Sequence, residues 1–268
     1  MTGMITEIQR FSLNDGDGIR TTVFFKGCNL RCAWCHNPET FDKNPTLLRY
    51  PEKCIGCGHC DDCPTGARTI SGREVSVEDI MREVRQDAAY YKNSDGGVTL
   101  SGGEVMCQAE FAREVALACK AEGIRVGVET NLSLDWEKMS ELIDLCDLVM
   151  CDLKIADSEL HKHWTKVGNE KILENLGKLA KSGRRWILRT PLIPGATDSD
   201  ENIASIAKTA AKLKPDSWEL LNFNPLGGAK YKALGLKNRF EGAKPLGKPR
   251  LEELKTIAEG SGRKVVIA

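Results

Sequence analysis

One short segment carries three cysteines with spacings of three and two residues: Gly27-Cys28-Asn29-Leu30-Arg31-Cys32-Ala33-Trp34-Cys35, directly after the apolar run Thr21–Phe25. Three thiolates on one tight loop can bind three irons of a cubic iron–sulfur cluster, which leaves the fourth iron without a protein ligand. An iron with an open coordination position can bind and reduce a substrate, whereas a fully ligated cluster only passes electrons. Two other interpretations stay open here, a zinc knuckle with a fourth Cys or His nearby and a redox dithiol.

The composition is that of an ordinary globular protein without a charge bias. Of the 268 residues, 41% are hydrophobic and 28% charged, and the formal net charge of +0 argues against nucleic-acid binding through bulk electrostatics. No apolar stretch reaches the length of a membrane span, and the N-terminus has neither a basic nor an apolar signal region. We therefore expect a cytoplasmic protein with no membrane partner, whose 11 cysteines are metal ligands or buried thiols rather than disulfides.

Short β-rich runs alternate with amphipathic stretches after the cysteine segment. The predicted strands are Thr21–Lys26, Val98–Leu100, Arg125–Thr130, Leu148–Cys151, Trp186–Thr190 and Trp218–Leu221, with a last short run at Lys264–Ile267. The predicted helices are Ser76–Lys92, Ala109–Glu122, Asp135–Leu145, Lys171–Lys181, Glu201–Leu213 and Arg250–Gly260. Such units predict an α/β fold with a parallel sheet, either a partial, three-quarter (β/α)6 TIM-like barrel of the kind that leaves one side open or a doubly wound sheet. In both, functional residues gather at the carboxyl ends of the strands.

Residues 42–73 interrupt this alternation, and we expect them to be a ferredoxin-like insertion in one domain that spans residues 1–268. The pattern is similar to the bacterial ferredoxin run C-x2-C-x2-C-x3-C-P, shortened by one residue, and its cysteines are Cys54, Cys57, Cys60 and Cys63. Four cysteines suffice for one auxiliary [4Fe-4S] cluster and not for two. Cys107 is an alternative fourth ligand, and a structural zinc is the alternative metal.

Polar motifs follow several of the predicted strands. In Ser101-Gly102-Gly103-Glu104, two glycines would let the backbone approach a ligand, and the carboxylate could accept a hydrogen bond from its ammonium group. Glu129-Thr130-Asn131 and Met150-Cys151-Asp152-Leu153-Lys154 end the next two strands. Arg189 ends the fifth strand, where a guanidinium can clamp a carboxylate or form a structural ion pair with Glu104 or Asp152. These motifs predict one site at one edge of the sheet.

The segment Arg20–Pro38, with Asp15-Gly16-Asp17-Gly18-Ile19-Arg20 just upstream, closely resembles the radical S-adenosylmethionine (SAM) enzymes. Within them the match narrows to the activating enzymes of glycyl radical enzymes, the pyruvate formate-lyase activating enzyme family. The resemblance implies that Cys28, Cys32 and Cys35 bind a [4Fe-4S] cluster whose open iron is chelated by SAM. Reductive cleavage of SAM would give a 5′-deoxyadenosyl radical that abstracts a hydrogen from a backbone glycine of a partner glycyl radical enzyme. The resemblance also implies flavodoxin or ferredoxin as the reductant.

The same resemblance implies roles for the polar motifs. The SAM-contacting residues would be Trp34 beside the adenine, Gly102, Gly103 and Glu104 at the amine, and Thr130, Asp152, Lys154, Arg189 and Asn224. A monovalent cation would be bound by Glu129, Thr130, Met150 and Asp152. Glu129 and Asn224 replace an aspartate and a histidine of the type enzyme, and Asp15 aligns with a residue that touches the partner peptide. Without the resemblance, Trp34 would be an ordinary buried or loop aromatic, and Asp152 with Lys154 a surface ion pair.

Two other functions stay open from the sequence. One is a radical SAM enzyme that acts on a small molecule or peptide, and the other is a non-catalytic ferredoxin-like or zinc-binding interaction protein. The latter explains Cys54–Cys63 but leaves the three-cysteine segment, the Gly-Gly-Glu turn and Arg189 without a purpose. For an activating enzyme, pyruvate formate-lyase, a diol or glycerol dehydratase, a choline lyase and an aromatic decarboxylase are all possible partners.

Overall fold

The computed structural model describes residues 1–268, and its main feature is an open sheet of nine strands. The strands of the chain are β1 (Thr2–Ser12), β2 (Arg20–Phe25), β3 (Thr46–Arg49), β4 (Arg68–Ser71), β5 (Arg73–Ser76), β6 (Gly97–Gly102), β7 (Val126–Thr130), β8 (Leu148–Asp152), β9 (Trp186–Leu192), β10 (Ser217–Asn222) and β11 (Lys264–Ile267). Their order in the sheet is β11-β10-β9-β8-β7-β6-β2-β1-β5, while β3 and β4 form a separate antiparallel hairpin.

Strands β2 and β6 to β11 run parallel. At one edge β1 pairs antiparallel with β2, and β5 pairs antiparallel with β1. All six predicted strands are present as neighbours, and the last short run adds a seventh, which confirms the α/β fold with a mainly parallel sheet. Strand β1 was not predicted, because buried and exposed residues alternate along it and its polar side chains interrupt any apolar run.

Helices connect successive parallel strands. They are α1 (Val77–Gln86), α2 (Ala88–Ser94), α3 (Ala109–Ala121), α4 (Trp136–Leu145), α5 (Ser158–Thr165), α6 (Glu170–Lys181), α7 (Asp200–Leu213), α8 (Gly228–Leu234) and α9 (Lys248–Glu259). One large core contains buried residues of both strands and helices, including Cys119, Cys146 and Cys151, so these cysteines are small buried residues as expected. Helices α5 and α8 were not predicted. No helix has both the length and the apolarity of a membrane span.

The predicted helix Ser76–Lys92 is interrupted at Asp87, which separates α1 from α2. The Asp87 side chain is fully buried and accepts hydrogen bonds from Arg10 Nε at 2.9 Å and Thr21 Oγ1 at 2.8 Å. Burial by itself would raise the pKa of Asp87, but the hydrogen bonds from Arg10 and Thr21 outweigh it and lower that pKa. The break between α1 and α2 therefore places the Asp87 carboxylate where it accepts hydrogen bonds from both β1 and β2.

The sheet curves strongly. Arg189 on β9 donates from Nη2 to the carbonyl oxygen of Asn14, in the β1–β2 loop, at 3.2 Å. Three strands separate β9 from β2 in the sheet, so this contact crosses the concave face. Arg185 and Asp17 form an ion pair between the same two regions. Because β5 and β11 remain as free edges, the structure is the expected partial barrel, an open curved sheet.

The concave face changes from apolar to polar toward the carboxyl ends of the strands. Leu148, Met150 and Ile187 form a small buried cluster apart from the main core. Side chains alternate along a strand, so Asp152 lies on the same face of β8 as Met150 and closer to the carboxyl end. The concave face thus has a packed apolar layer, with polar residues nearer the carboxyl ends of the strands.

Replacing Asp87 with asparagine should lower the free energy of unfolding by roughly 2 kcal/mol near neutral pH, because the Arg10 and Thr21 donors lose a buried, charged acceptor. Solvent screens part of the attraction, since the Arg10 side chain is 34% exposed. The lowered pKa means that this contribution is complete above the unfolded-state pKa and is lost as pH falls through the folded-state pKa. The difference between wild type and Asp87→Asn should therefore shrink in acid.

Urea denaturation of both proteins at several pH values measures this effect. Asp144→Asn is the matched control, because the Asp144 side chain is 63% exposed and its ion pair with Arg184 is long, at 3.6 Å. Equal destabilisation by the two variants would contradict the structural role of Asp87.

Candidate active site

A cavity of about 260 Å³ lies at the carboxyl ends of β2, β6, β7 and β8. The cysteine segment contributes Cys28, Leu30, Cys32, Trp34 and Cys35, so the three predicted cluster ligands line one space. The strand ends contribute Ser101, Gly102, Gly103, Glu104, Glu129, Thr130, Asn131, Asp152, Lys154, Pro191 and Leu221. The structure therefore brings the three cysteines and most of the polar strand-end motifs together around one cavity.

The cysteine segment is anchored by main-chain hydrogen bonds on both sides. Arg31 N donates to Thr165 O at 2.8 Å, and Ala33 N donates to Trp164 O at 3.0 Å, so the end of α5 holds the middle of the segment. Gly27 N donates to Thr40 O at 2.9 Å at its start. The unpredicted helix α5 thus has a clear local purpose, because it supplies the carbonyl groups that fix the loop.

The three cysteines of this segment are half-buried, and their thiols influence one another. Burial raises the pKa of Cys28 to about 12 and raises those of Cys32 and Cys35 as well. Nearby thiols and Glu104 add to the rise at Cys28. No three Cys, His, Asp or Glu side chains converge on a single point, but a cubic cluster requires only one thiolate at each of three irons. The donor set and its burial fit such a cluster, whose positive irons would stabilise the thiolates.

Gly102 and Gly103 lie against the main chain that enters the cysteine segment. A Cβ on Gly102 would be 2.3 Å from Phe25 O, and one on Gly103 would be 2.4 Å from Gly27 O. Gly102 also has a φ of +120°, which disfavours any side chain. The glycines were predicted to allow close approach of a ligand; the close approach seen here is between two segments of the protein's own backbone.

Glu104 connects the ends of β6 and β7. Its carboxylate is buried and accepts hydrogen bonds from Asn131 N at 2.7 Å, Thr130 Oγ1 at 2.8 Å and Met106 N at 3.0 Å. Burial raises the pKa of Glu104, and these hydrogen bonds offset part of the rise. Asn131, which was not predicted as a site residue, also donates from Nδ2 to Asn29 in the cysteine segment at 3.2 Å.

Arg189 is buried and forms ion pairs with two carboxylates. Its guanidinium pairs with Glu129 and, through Nε, with Glu219 at 2.7 Å. The sequence offered Glu104 or Asp152 as partners for a structural ion pair, and the structure uses neither. Glu129 lines the cavity and also accepts from Ser101, whereas Arg189 is not part of the lining. Arg189 therefore contacts a residue of the cavity lining, Glu129, but does not line the cavity itself.

Asp152 and Lys154 form an ion pair inside the cavity wall and not on the open surface. The Lys154 side chain is only 11% exposed. Burial opposes its charge, but the carboxylate of Asp152 and the thiols of Cys32 and Cys28 raise the pKa of Lys154. Lys154 consequently stays cationic next to the cysteines.

The remaining predicted residues divide into two groups. Trp34 lines the cavity and packs on Trp164 and Phe240, and Thr130 also lines it. Met150, Asn224 and Asp15 lie outside its lining. Met150 belongs to the apolar layer below, Asn224 caps a short turn by accepting from Leu226 N, and Asp15 accepts from the hydroxyls of Ser12 and Thr22.

The insertion is held by the β3–β4 hairpin. Its loop exposes Cys54, Cys57 and Cys60, while Cys63 is half-buried. Hydrogen bonds from Thr65 and from main-chain amides lower the pKa of Cys63 to about 7. The alternative ligand Cys107 instead neighbours Glu104, Asn29 and Arg31, so it lies beside the other cysteine segment.

Gly102→Ala should lower the free energy of unfolding by about 2 kcal/mol or more, because it adds both a disfavoured backbone conformation and a clash with Phe25 O. Gly177→Ala is the control, since nothing lies within 4 Å of a Cβ at this helical position. We expect the control to gain about 0.5–1 kcal/mol. Urea denaturation of the metal-free proteins measures both, and an unchanged midpoint for Gly102→Ala would refute the contact.

Comparison with known proteins agrees with this site. The sequence matches the Radical SAM superfamily over residues 22–207. It is 37% identical to the (2S)-3-sulfopropanediol dehydratase activating enzyme of Klebsiella oxytoca, over 96% of this chain and 93% of that protein. It is 39% identical to the pyruvate formate-lyase 2-activating enzyme of Escherichia coli, over 98% of this chain and 91% of that protein.

Solved structures share the fold of this chain. A domain of pyruvate-formate lyase-activating enzyme from Bacteroides vulgatus superposes with a TM-score of 0.55 at 28% identity, covering 65% of this chain and 99% of that one. A radical SAM methyltransferase from Sphaerobacter thermophilus reaches 0.63 at 15% identity, over 98% of this chain and 76% of that one, which is a likeness of fold alone. The matches confirm the resemblance read from the cysteine segment: the chain belongs to the radical SAM superfamily and, within it, to the activating enzymes of glycyl radical enzymes.

Proposed function

We propose that the cavity binds SAM beside a [4Fe-4S] cluster held by Cys28, Cys32 and Cys35, and that the chain uses the radical so formed to abstract a hydrogen from a backbone glycine of a partner glycyl radical enzyme. The observation that carries this is that the three thiols share one cavity with the Gly-Gly-Glu turn and Asp152. When bound, the cluster supplies the electron that breaks the C5′–S bond of SAM.

The charges of the cavity favour a cationic ligand. Glu104, Glu129 and Asp152 are acidic, and Lys154 is the one lysine or arginine in the lining. SAM carries a sulfonium and an ammonium group, which suit the carboxylates, and a single carboxylate, which suits Lys154. This balance supports SAM contacts for Lys154 and Asp152. Arg189 would reach SAM only by giving up part of its pairing with Glu129.

The protein's own task is to position the reactants and exclude water. The cysteines of the segment are half-buried, and Trp34 forms an apolar wall that would accept the adenine. The target glycine would enter the cavity as an extended segment, and its α-hydrogen would pass to the 5′-carbon of the nucleoside. Flanking amides stabilise the resulting glycyl radical.

An auxiliary [4Fe-4S] cluster on Cys54, Cys57, Cys60 and Cys63 is part of the proposal. Their exposure on one hairpin loop supports it, as does the lowered pKa of Cys63, because a thiolate is the form that binds iron. The surroundings of Cys107 favour Cys63 over Cys107 as the fourth ligand.

A monovalent cation near Glu129, Thr130 and Asp152 is also proposed. These oxygen-bearing residues line the cavity, and Met150 on β8 lies opposite Glu129 on β7 in the sheet. Flavodoxin or ferredoxin is the proposed reductant.

Cys32→Ala should abolish formation of 5′-deoxyadenosine from SAM after anaerobic reconstitution and reduction with dithionite, while iron stays bound at the insertion. Cys119→Ala is the matched control, because this thiol is fully buried in the core away from the cavity. Chromatographic assay of 5′-deoxyadenosine and iron analysis measure both effects. Cleavage retained by Cys32→Ala would remove the assigned site.

Simultaneous Cys54→Ala and Cys57→Ala substitutions should reduce bound iron from about eight to about four per chain and leave SAM cleavage with dithionite in place. The physical reason is that the two cysteine sets lie on separate loops and only one lines the cavity. Colorimetric iron analysis measures this. An unchanged iron content would contradict the auxiliary cluster.

A further inference from the structure

The segment that follows β10 is strongly basic although the whole chain is neutral. Residues 228–250 contain seven lysines and arginines and one acidic residue, and the chain has a formal net charge of +0. The basic residues are Lys230, Lys232, Lys237, Arg239, Lys244, Lys248 and Arg250. The rest of the chain is therefore net acidic, and the positive charge is concentrated on α8, the following loop and the start of α9.

Part of this charge has no carboxylate partner. Lys230 pairs with Glu39, Lys232 with Glu241, and Arg250 with Asp200 and Glu253. In contrast, Lys237, Arg239, Lys244 and Lys248 are exposed and form no ion pair in the structure. Together these four residues form a surface that we name the basic rim. Unpaired charges on one loop produce a local positive field that a neutral net charge conceals.

One residue of the basic rim, Arg239, connects to the cysteine segment through aromatic contacts. The Arg239 guanidinium lies 4.5 Å from the centre of the Trp164 ring, and Trp164 packs on Trp34 with ring centres 6.2 Å apart. Trp34 lies between Cys32 and Cys35 in the sequence and lines the cavity. Phe240, next to Arg239, contacts both tryptophans. A short aromatic stack thus joins the basic surface to the loop that would hold the cluster.

We propose that the basic rim is the docking surface for an acidic one-electron carrier protein, an inference that rests on the function proposed above. Each SAM cleavage consumes one electron that the chain itself does not supply, so a carrier must lose one electron to the cluster. Opposite charge attracts such a carrier, and the aromatic stack joins Arg239 of this face to the cysteine segment. The partner that offers the glycine needs the cavity, whereas the carrier needs only proximity to the cysteines.

Binding of a bacterial flavodoxin, an acidic carrier, to the reconstituted protein tests this. The triple variant Lys237→Glu, Lys244→Glu, Lys248→Glu should weaken binding by roughly tenfold or more at low salt, and wild-type binding should weaken with salt. Lys181→Glu, Lys208→Glu, Lys212→Glu is the matched control, with the same charge change on exposed residues of α6 and α7. We expect it to change affinity by less than about threefold.

Isothermal titration calorimetry measures the affinities, and dithionite bypasses the carrier. The rim variant should cleave SAM like the wild type with dithionite but slowly with reduced flavodoxin. Wild-type binding that is absent or insensitive to salt, or equal in the rim variant, would overturn the proposal. A rim variant that binds flavodoxin normally but no longer forms the glycyl radical would also overturn it, because the rim would then belong to the contact with the glycyl radical enzyme. Failure of wild-type cleavage with dithionite would instead refute the proposed function.

Discussion

The cavity depends on a close backbone contact where β2 and β6 end side by side. Gly103 N donates to Phe25 O at 2.9 Å, and Glu104 N donates to Gly27 O at 2.8 Å, with no room for a Cβ on Gly102 or Gly103. The first cysteine follows Gly27 directly, so this contact fixes where the cysteine segment leaves the sheet. Glu104 then joins the same point to β7. The position of the cysteines is thus set mainly by main-chain atoms of the sheet.

The parts of the structure that could be predicted from the sequence are those with local signals. Buried parallel strands appear as apolar runs, and the spacing of Cys28, Cys32 and Cys35 lies within one loop. The break at Asp87 could not be predicted, because it depends on Arg10 and Thr21, which are distant in the sequence. The start of α1, in contrast, has a local cause, because Ser76 and Asp79 form a capping box. Contacts between residues that are distant in the sequence are therefore the main reason why predicted and observed elements differ.

The network around Arg189 shows the same limit within the site. An arginine in an apolar strand must have a partner, and that much follows from the sequence. Which carboxylate it meets depends on the register of three strands, and the structure selects Glu129 on β7 and Glu219 on β10. Two carboxylates around one guanidinium leave an excess negative charge near the cavity. Arg189 therefore positions Glu129 in this structure, and any direct role with a ligand carboxylate competes with both ion pairs.

The distribution of charge separates the two sides of the cysteine segment. On the cavity side, Glu104, Glu129 and Asp152 outnumber Lys154, and the cysteines there are half-buried. On the side of the basic rim, Arg239 contacts Trp164, which packs on Trp34 of the same loop. A cationic ligand and an acidic macromolecule would consequently be attracted to different surfaces around the same cysteine segment. Because the two fields cancel in the net charge, composition alone argued only against bulk nucleic-acid binding and gave no sign of this polarity.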